Sequence, residues 1–483
     1  MTFEPKILSL EQENELLRKE NIELRLLLQD ALEKLQSLSD KINKNSSNSS
    51  KPPSTDIVRT KSLRISTGKK AGGQKGHSGT TLAASATPDE VIVHKAIECC
   101  GCGKDISGVG SLRYERRQVY DIPPIKMQVC EHRSEIKCCP HCDRENKGIF
   151  PAGILQGTQY GTNLKQFGVY LTQYQLLPLG RSVQLIEDLT GHKISAATLV
   201  NINQQCSQQL SGFTETLKVN LQQAPVLHVD ETGYYYGNKR NWLHVATTEH
   251  LTYYYAHEKR GREAMDEMGI LPGYKGTAVH DYWKSYLDYL CNHSLCNQHH
   301  LRDLTFCLEQ EKSQWAADMK TLLLEMKGIT DVAKAQGLQS LDQQQQDGLT
   351  QRFNLLVEQG YQQHPLPEKE PGKRGVVKKS KTQNLLQRFR DQREYILGFV
   401  RDFRIPFGNN LAEQAIRMMK VQQKISGCFR SKDGATCFAT IRSYIDTMRK
   451  NGFSIIDAIG KAIEGKPIMP FSQIHGYSYP QSG

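Results

Sequence analysis

The spacing of apolar residues changes rhythm several times along the chain, and each rhythm predicts a different element. Between residues 7 and 42 the period is a heptad. Ile7, Asn14, Asn21, Leu28, Leu35 and Ile42 share one core position, and Leu10, Leu17, Leu24, Ala31 and Leu38 share the other. Five heptads without Gly or Pro predict a coiled-coil helix over residues 1–43, with Asn14 and Asn21 favouring a parallel pair in register. An amphipathic helix packed on its own chain is the plainer alternative. The run NKNSSNSSKPPSTD, Asn43 to Asp56, breaks the pattern and reads as a flexible linker within 44–90. RYERRQVYDIPPIKMQVCEHRSEIK (113–137) alternates with the period of β-strands. From Asn163 to about Leu210 the period is helical. RSVQLIEDLTGHKISAATLVNINQQC reads there as helix, turn at Gly191, and a second helix capped by Ser195. A helix-turn-helix fits this pair, and so does a simple helical hairpin. Asn201, Asn203, Gln204 and Gln205 are its only base-reading candidates.

After Pro225 the period falls to two. VLHVDETGYYY, NWLHVAT and LTYYYA are strands separated by the turns GNKR and TTEH. GREAMDEMG is a short helix, GTAVHD a buried strand ending in Asp281, and DYWKSYLDYL helical. HSLCNQHH is a further strand running into the helix LRDLTFCLEQEK. The order βββ-α-β-α-β-α makes the chain α/β, in the order of an RNase H-like fold. Leu301 to Arg404 is rich in Leu, Gln, Glu and Lys and reads as a helical insertion, with a basic loop from Glu368 to Lys381. GNNLAEQAIRMMKVQQK then begins with Asn409 and Asn410 as helix caps. Leu411, Ala415, Met418 and Met419 form its apolar stripe, and Glu413, Arg417 and Lys420 share the other face.

Composition narrows the class. The 483 residues suffice for several domains, and a net charge of +11 with a pI near 8.9 points to a polyanionic partner. Nucleic acid fits better than membrane, because no stretch approaches the roughly 20 apolar residues of a span. MTFEPKILSL lacks a signal-peptide core, so a cytoplasmic protein is expected. Thirteen cysteines then suggest metal sites or inert thiols rather than disulfides. Cys99-x-x-Cys102 and Cys139-x-x-Cys142 have the spacing of paired knuckles for one structural Zn²⁺; Cys100, Cys130, Cys138 and His141 lie near enough to leave the ligands open. Residues 51–80 carry seven Lys or Arg, among them Lys69, Lys70 and Lys75, against one acid, Asp56. This is either an arm for phosphates or a solvated tail. Within the first strand, Asp230 shares the inward face with Val226 and His228. A buried carboxylate is unfavourable by several kcal/mol or more unless a cation or hydrogen bonds compensate it. Glu231 points to the other face and is expected to be a solvent or hairpin contact.

HVDETG, VHDYWKSY, CNQHHLRDL and NNLAEQAIRMMKVQQKISGCFRSKDGATCFATIRSYIDTMRKNG strongly resemble transposases of the insertion-sequence-sixty-six family. The Leu-rich start, SSNSSKPPS, GGQKGHSG and the paired knuckles resemble that family's N-terminal region in the same order. The resemblance implies a DDE triad of Asp230, Asp281 and Glu413 holding Mg²⁺ or Mn²⁺, with the acids of the first and fourth strands meeting at adjacent strand ends. It also implies cleavage at terminal inverted repeats followed by strand transfer, and double-stranded DNA as partner. Arg417, Lys420, Lys424, Arg430 and the arm lysines are the expected DNA contacts. The N-terminal coiled coil would form a homodimer or higher oligomer, with small accessory proteins of the same element as further partners and the bacterial nucleoid as location. Cys296 and His299 match a Cys-x-x-His pair of such enzymes and lack two further ligands for a metal. The expected divisions are 1–43 coiled coil, 44–90 arm, 91–150 zinc module, 151–222 helical DNA-binding segment, 223–300 first part of the catalytic core, 301–404 insertion, 405–465 C-terminal core helices and 466–483 tail. Two other readings share part of this pattern: a non-catalytic zinc-containing DNA-binding regulator, and an RNase H-like nuclease.

Overall fold

In a computed structural model of the chain, the described residues are 4–45, 48, 81–367, 377 and 379–470. The arm lysines 69, 70 and 75 and most of the Glu368–Lys381 loop lie outside them. Helix α1 (Glu4–Asn43) is continuous over 40 residues, as the heptads predict. Its seam is uncovered in the single chain: Leu24, Leu35 and Ile42 are each 63% exposed.

The segment between the two Cys-x-x-Cys turns departs from expectation. Residues 113–135 form no strand. The short antiparallel pair β1 (Ile136–Cys138) and β2 (Glu145–Lys147) instead brackets the second turn. Alternation makes a strand only when a neighbour accepts its hydrogen bonds, and here the apolar members, Val119 and Val129 among them, stay exposed.

The helical block follows: α2 (Thr162–Val169), a π-helical turn (Tyr170–Tyr174), α3 (Leu179–Thr190), α4 (Ala196–Gln209) and α5 (Ser211–Gln222). Both predicted signals operate. Gly191 takes φ +69° at the end of α3, and Ser195 Oγ accepts the Thr198 N–H at 3.0 Å to start α4.

A mixed five-stranded sheet forms the centre. Its strands are β3 (Val226–Tyr236), β4 (Lys239–Thr247), β5 (Thr252–His257), β6 (Thr277–His280) and β7 (Asn292–Leu295), in the order β5-β4-β3-β6-β7. β3, β4 and β5 are antiparallel neighbours; β6 and β7 run parallel to β3. The first hairpin is tighter than the predicted GNKR turn. Gly237 and Asn238 both have positive φ (54° and 60°), so two residues suffice and Lys239 already belongs to β4. Helix α6 (Arg262–Met268) follows β5. The expected helix after Asp281 shrinks to one 3₁₀ turn (Lys284–Asp288). The connection from β6 to its parallel neighbour β7 is too short for a full crossover helix.

From β7 the chain enters the insertion: α7 (Asn297–Glu311), α8 (Gln314–Ala335), α9 (Gln343–Gln363), α10 (Lys381–Asp391), α11 (Arg393–Ile396) and α12 (Gly398–Arg401). These helices share an aromatic core in which Phe389 stacks on Phe353 and meets the edge of Trp315. The insertion's ends meet where Asn297 N–H donates to the Phe407 carbonyl at 3.0 Å.

Helices α13 (Asn410–Ser426), α14 (Lys432–Lys450) and α15 (Ile455–Ile463) complete the fold. An open strand edge invites unwanted pairing. Here α14 covers β5 with side chains: Ser443 Oγ accepts the Tyr254 N–H at 2.8 Å and Thr447 Oγ1 the Thr252 N–H at 3.1 Å. Beside them Asp446 Oδ2 accepts from Arg442 Nε at 3.1 Å and from the Tyr254 hydroxyl at 2.7 Å, all in the interior. Asp446→Ala would strand a buried guanidinium. A loss of about 3–5 kcal/mol is expected, read as a lower midpoint of denaturant unfolding; a loss below about 1 kcal/mol would show that the pair does not hold α14 to the sheet.

Candidate active site

The parallel pairing of β3 with β6 sets two acids side by side. Val226 faces Thr277 and His228 faces Val279, and the same register carried forward brings Asp230 level with Asp281. Each is steadied by a backbone N–H: Glu231 N donates to Asp230 Oδ1 at 2.8 Å, and Trp283 N to Asp281 Oδ1 at 2.9 Å. Behind Asp281, His280 Nδ1 lies 2.5 Å from its carbonyl and His280 Nε2 lies 2.9 Å from His293 Nδ1, which ties the end of β6 to β7.

Glu413 sits in the first turn of α13, and Asn409 brings it to the sheet. Asn409 was expected to cap α13 through its side chain, but no such cap forms. Its Nδ2 donates to the Val229 carbonyl at 2.8 Å, so Oδ1 is the atom that meets His228 Nδ1, also at 2.8 Å. With an amide oxygen opposite, that ring nitrogen carries the proton. The residues α13 buries are Ala412, Ile416, Met419 and Gln422; Leu411, Ala415 and Met418, expected as the stripe, flank it half-buried. With Ala412 and Ile416 packed inward, Glu413 Oε1 meets Cys296 and His299, near enough for its charge to reach Asp230.

Electrostatics register the convergence. Loss of water raises the Asp230 carboxyl well above the usual carboxylate range, and the negative charges of Glu231, Asp281 and Glu413 raise it further; the Glu231 N–H pulls the other way. Asp230 thus feels the charges of Asp281 and Glu413, although among the described residues the oxygens of the three do not gather within 4.8 Å of one another. Carboxylates are the hard oxygen donors that suit Mg²⁺ or Mn²⁺. By donor chemistry those residues fit a divalent cation, which would have to draw them closer together.

Glu231 is not the surface contact expected from its position. Its side chain is 1% exposed. Oε1 accepts from Arg260 Nε at 2.9 Å and Nη2 at 2.6 Å, and Oε2 accepts from the Tyr286 hydroxyl. Burial and the nearby Asp281 charge push its carboxyl up to about 7, against the opposing pull of Tyr286 and Arg260. Arg260 and Tyr286 were not anticipated. The available signal was a second acid on a strand whose both faces are apolar, which demands a distant partner.

Cys296 and His299 also join this centre. Cys296 Sγ and His299 Nδ1 each lie 3.9 Å from Glu413 Oε1, and Asn409 N–H donates to Cys296 Sγ at 3.2 Å. Glu413, Cys296 and His299 have one donor atom each within 4.8 Å of one another, so the three could hold a metal ion.

The cation candidates are less uniform. Arg417, Lys420, Lys424 and Arg430 are all exposed, but Lys420 donates to the Gly233 carbonyl at 2.6 Å, and partial burial of its ammonium with the Arg240 charge lowers it. At the knuckles, Cys99 and Cys139 each close a tight turn, with Gly103 N donating to Cys99 O and Asp143 N to Cys139 O at 2.9 Å. Turn N–H groups and the paired thiols lower both thiols. Among the described residues, Cys99, Cys102, Cys139 and Cys142 do not gather into one metal-sized cluster.

A raised carboxyl carries a definite pH signature. Its contribution to stability is complete below the ordinary carboxylate range and is lost as pH rises through the folded-state value, near 7 for Glu231 and well above the usual range for Asp230. Chelator-treated protein should therefore melt lower at about pH 8 than at about pH 5 through these groups. Asp230→Asn should raise the melting temperature at the higher pH, by roughly 2–4 °C per kcal/mol of repulsion relieved. An unchanged or lower melting temperature there would contradict the crowding.

Comparison with known proteins places this geometry. A family of unknown function, DUF6444, matches residues 2–83. No curated protein matches the chain. No helix among the described residues is long and apolar enough to cross a membrane. The model of the Transposase IS66 family matches residues 157–437, from the helical block through the sheet, the insertion and α13 into α14. The chain belongs to the Transposase IS66 family.

Proposed function

We propose that the protein binds the terminal inverted repeats of an insertion sequence and catalyses metal-dependent end cleavage and strand transfer, with Asp230, Asp281 and Glu413 as its DDE triad on an RNase H-like sheet. One observation carries this: of three acids scattered over 184 positions, counting Asp230 through Glu413, Asp230 within β3 feels the charges of both Asp281, just past β6, and Glu413 on α13. The strand order, with three antiparallel strands followed by two parallel ones, supports the RNase H-like assignment.

In this reading the protein's part is positioning. Backbone N–H groups turn Asp230 and Asp281 so that one oxygen of each is held and the other is presented. Asn409 fixes the distance of Glu413 from β3. Bound Mg²⁺ or Mn²⁺ would supply activation of the attacking oxygen, water in cleavage and a DNA 3′-hydroxyl in strand transfer, and charge neutralisation at the leaving oxygen. Arg417, Lys424 and Arg430, exposed on and after α13, would meet DNA phosphates, as would Lys420 and the arm lysines 69, 70 and 75. The uncovered heptad seam of α1 suits pairing of two chains, as bringing two DNA ends together requires. The four knuckle cysteines would hold a structural Zn²⁺ once the two halves close on it.

The test is strand transfer in vitro with a duplex of the element's end. Asp230→Ala, Asp281→Ala and Glu413→Ala should each retain end binding while slowing transfer by roughly 100- to 10,000-fold, the equivalent of several kcal/mol of charge stabilisation. A variant that transfers at the wild-type rate removes its residue from the triad.

A further inference from the structure

On the face of β3 that carries Glu231, two arginines and two of the chain's three tryptophans form a continuous stack. The Arg240 guanidinium lies 4.6 Å from the Trp242 ring centre. Arg260 lies 4.9 Å from that same ring and 4.1 Å from the ring of Trp283. The strand register explains the placement: Trp242 is paired with Gly233 and His244 with Glu231, so these side chains share one side of the sheet. Gly233 makes room for the first arginine. A Cβ there would stand 2.6 Å from Arg240 Nε, so any larger residue would displace the guanidinium.

The stack is stiffer than surface arginines usually are. Arg260 is fixed from beneath by the buried Glu231 carboxylate and flanked by two indoles, yet its side chain remains 40% exposed. Its third nitrogen, Nη1, has no acceptor among the described residues. Arg240 is exposed and makes no hydrogen bond or ion pair among them. Lys420, held to the Gly233 carbonyl, adds a third positive charge beside Arg240. At its far end the stack reaches Trp283, whose backbone N–H holds Asp281. Rigid guanidiniums with unspent donors, on the face of β3 opposite Asp230 and linked to Asp281 through Trp283, suit the bidentate recognition of phosphate oxygens. They also offset the repulsion that those acids exert on a polyanion.

We propose that the Arg240–Trp242–Arg260–Trp283 stack is a phosphate rail, a binding site for the phosphodiester backbone of the DNA strand that enters the carboxylate cluster. The inference rests on the transposase reading, deepening it by naming where the strand lies. Arg240 supplies a charge contact. Arg260, in contact with the same backbone, supplies a planar fork whose orientation depends on both indoles.

Binding and chemistry test it separately in the full-length protein. Affinity for a fluorescent duplex of the element's end is measured against salt concentration, with end cleavage followed in parallel. Arg240→Ala, at an exposed and unpaired position, should weaken binding roughly tenfold and reduce the slope of log K against log salt by about one. Arg260→Lys keeps the charge that neutralises Glu231 but lacks the planar fork. It should leave the slope unchanged and lower affinity roughly tenfold. Wild-type affinity and slope in both variants would overturn the rail. Because the slope is read from binding alone, it decides the rail even if the wild-type protein cuts no end; that second result would instead overturn the transposase reading.

Discussion

Asn409 is the residue on which the site's geometry hangs. Its carboxamide spans the backbone of Val229 and the ring of His228, and its own N–H reaches Cys296, so β3, the start of α7 and α13 meet at one side chain that is 2% exposed. The His228 ring and the Val229 carbonyl would lose this partner if the carboxamide were lost, which is the expensive case for a hydrogen bond in an apolar setting. The two aspartates need no such device. They follow directly on the paired part of neighbouring parallel strands, whose register carried forward sets them level. Glu413 comes from a helix, and a helix can slide or roll against a sheet unless something pins its first turn.

The sheet that carries this cluster works against electrostatic repulsion. Asp230 and Glu231 are adjacent in sequence on opposite faces, and Asp281 bears on both. On one face the protein neutralises its acid itself, with Arg260 and Tyr286; on the other it leaves the acids together. Rigidity elsewhere makes that tolerable. The Tyr254–Asp446–Arg442 network and the two hydroxyls of α14 close the β5 edge, and the family match ends at residue 437, before those α14 residues.

Much of the sheet was legible because its signals are local. Alternation gave the strands of VLHVDETGYYY and NWLHVAT, Gly191 and Ser195 gave the α3–α4 turn, and unbroken heptads gave α1. Asp230 and Asp281 stood out because an acid within or just after an apolar strand is conspicuous in one dimension. What escaped were interactions whose partners are remote. Glu231 finds Arg260 at a separation of 29 residues and Tyr286 at 55, and period two gives only the face, not who waits there. Asn409 has the look of a helix cap, and only the approach of β3 gives its amide better partners. The residues between the knuckles show the converse: they alternate, but without a neighbouring strand alternation is not a sheet.

The meeting of Asn297 with Phe407 gives the long insertion an unexpected neutrality. Asp281 and Glu413 are 132 positions apart, and as a slack loop that stretch would cost about 1.2 kcal/mol more to close than one a quarter as long. Folded around Phe353 and Phe389, with entrance and exit joined, it acts as a closed bracket instead. Whatever lies inside the bracket can lengthen, shorten or exchange helices while the two residues at its mouth keep their spacing. Evolution can thus rewrite roughly a hundred residues in the middle of this chain without moving an acid.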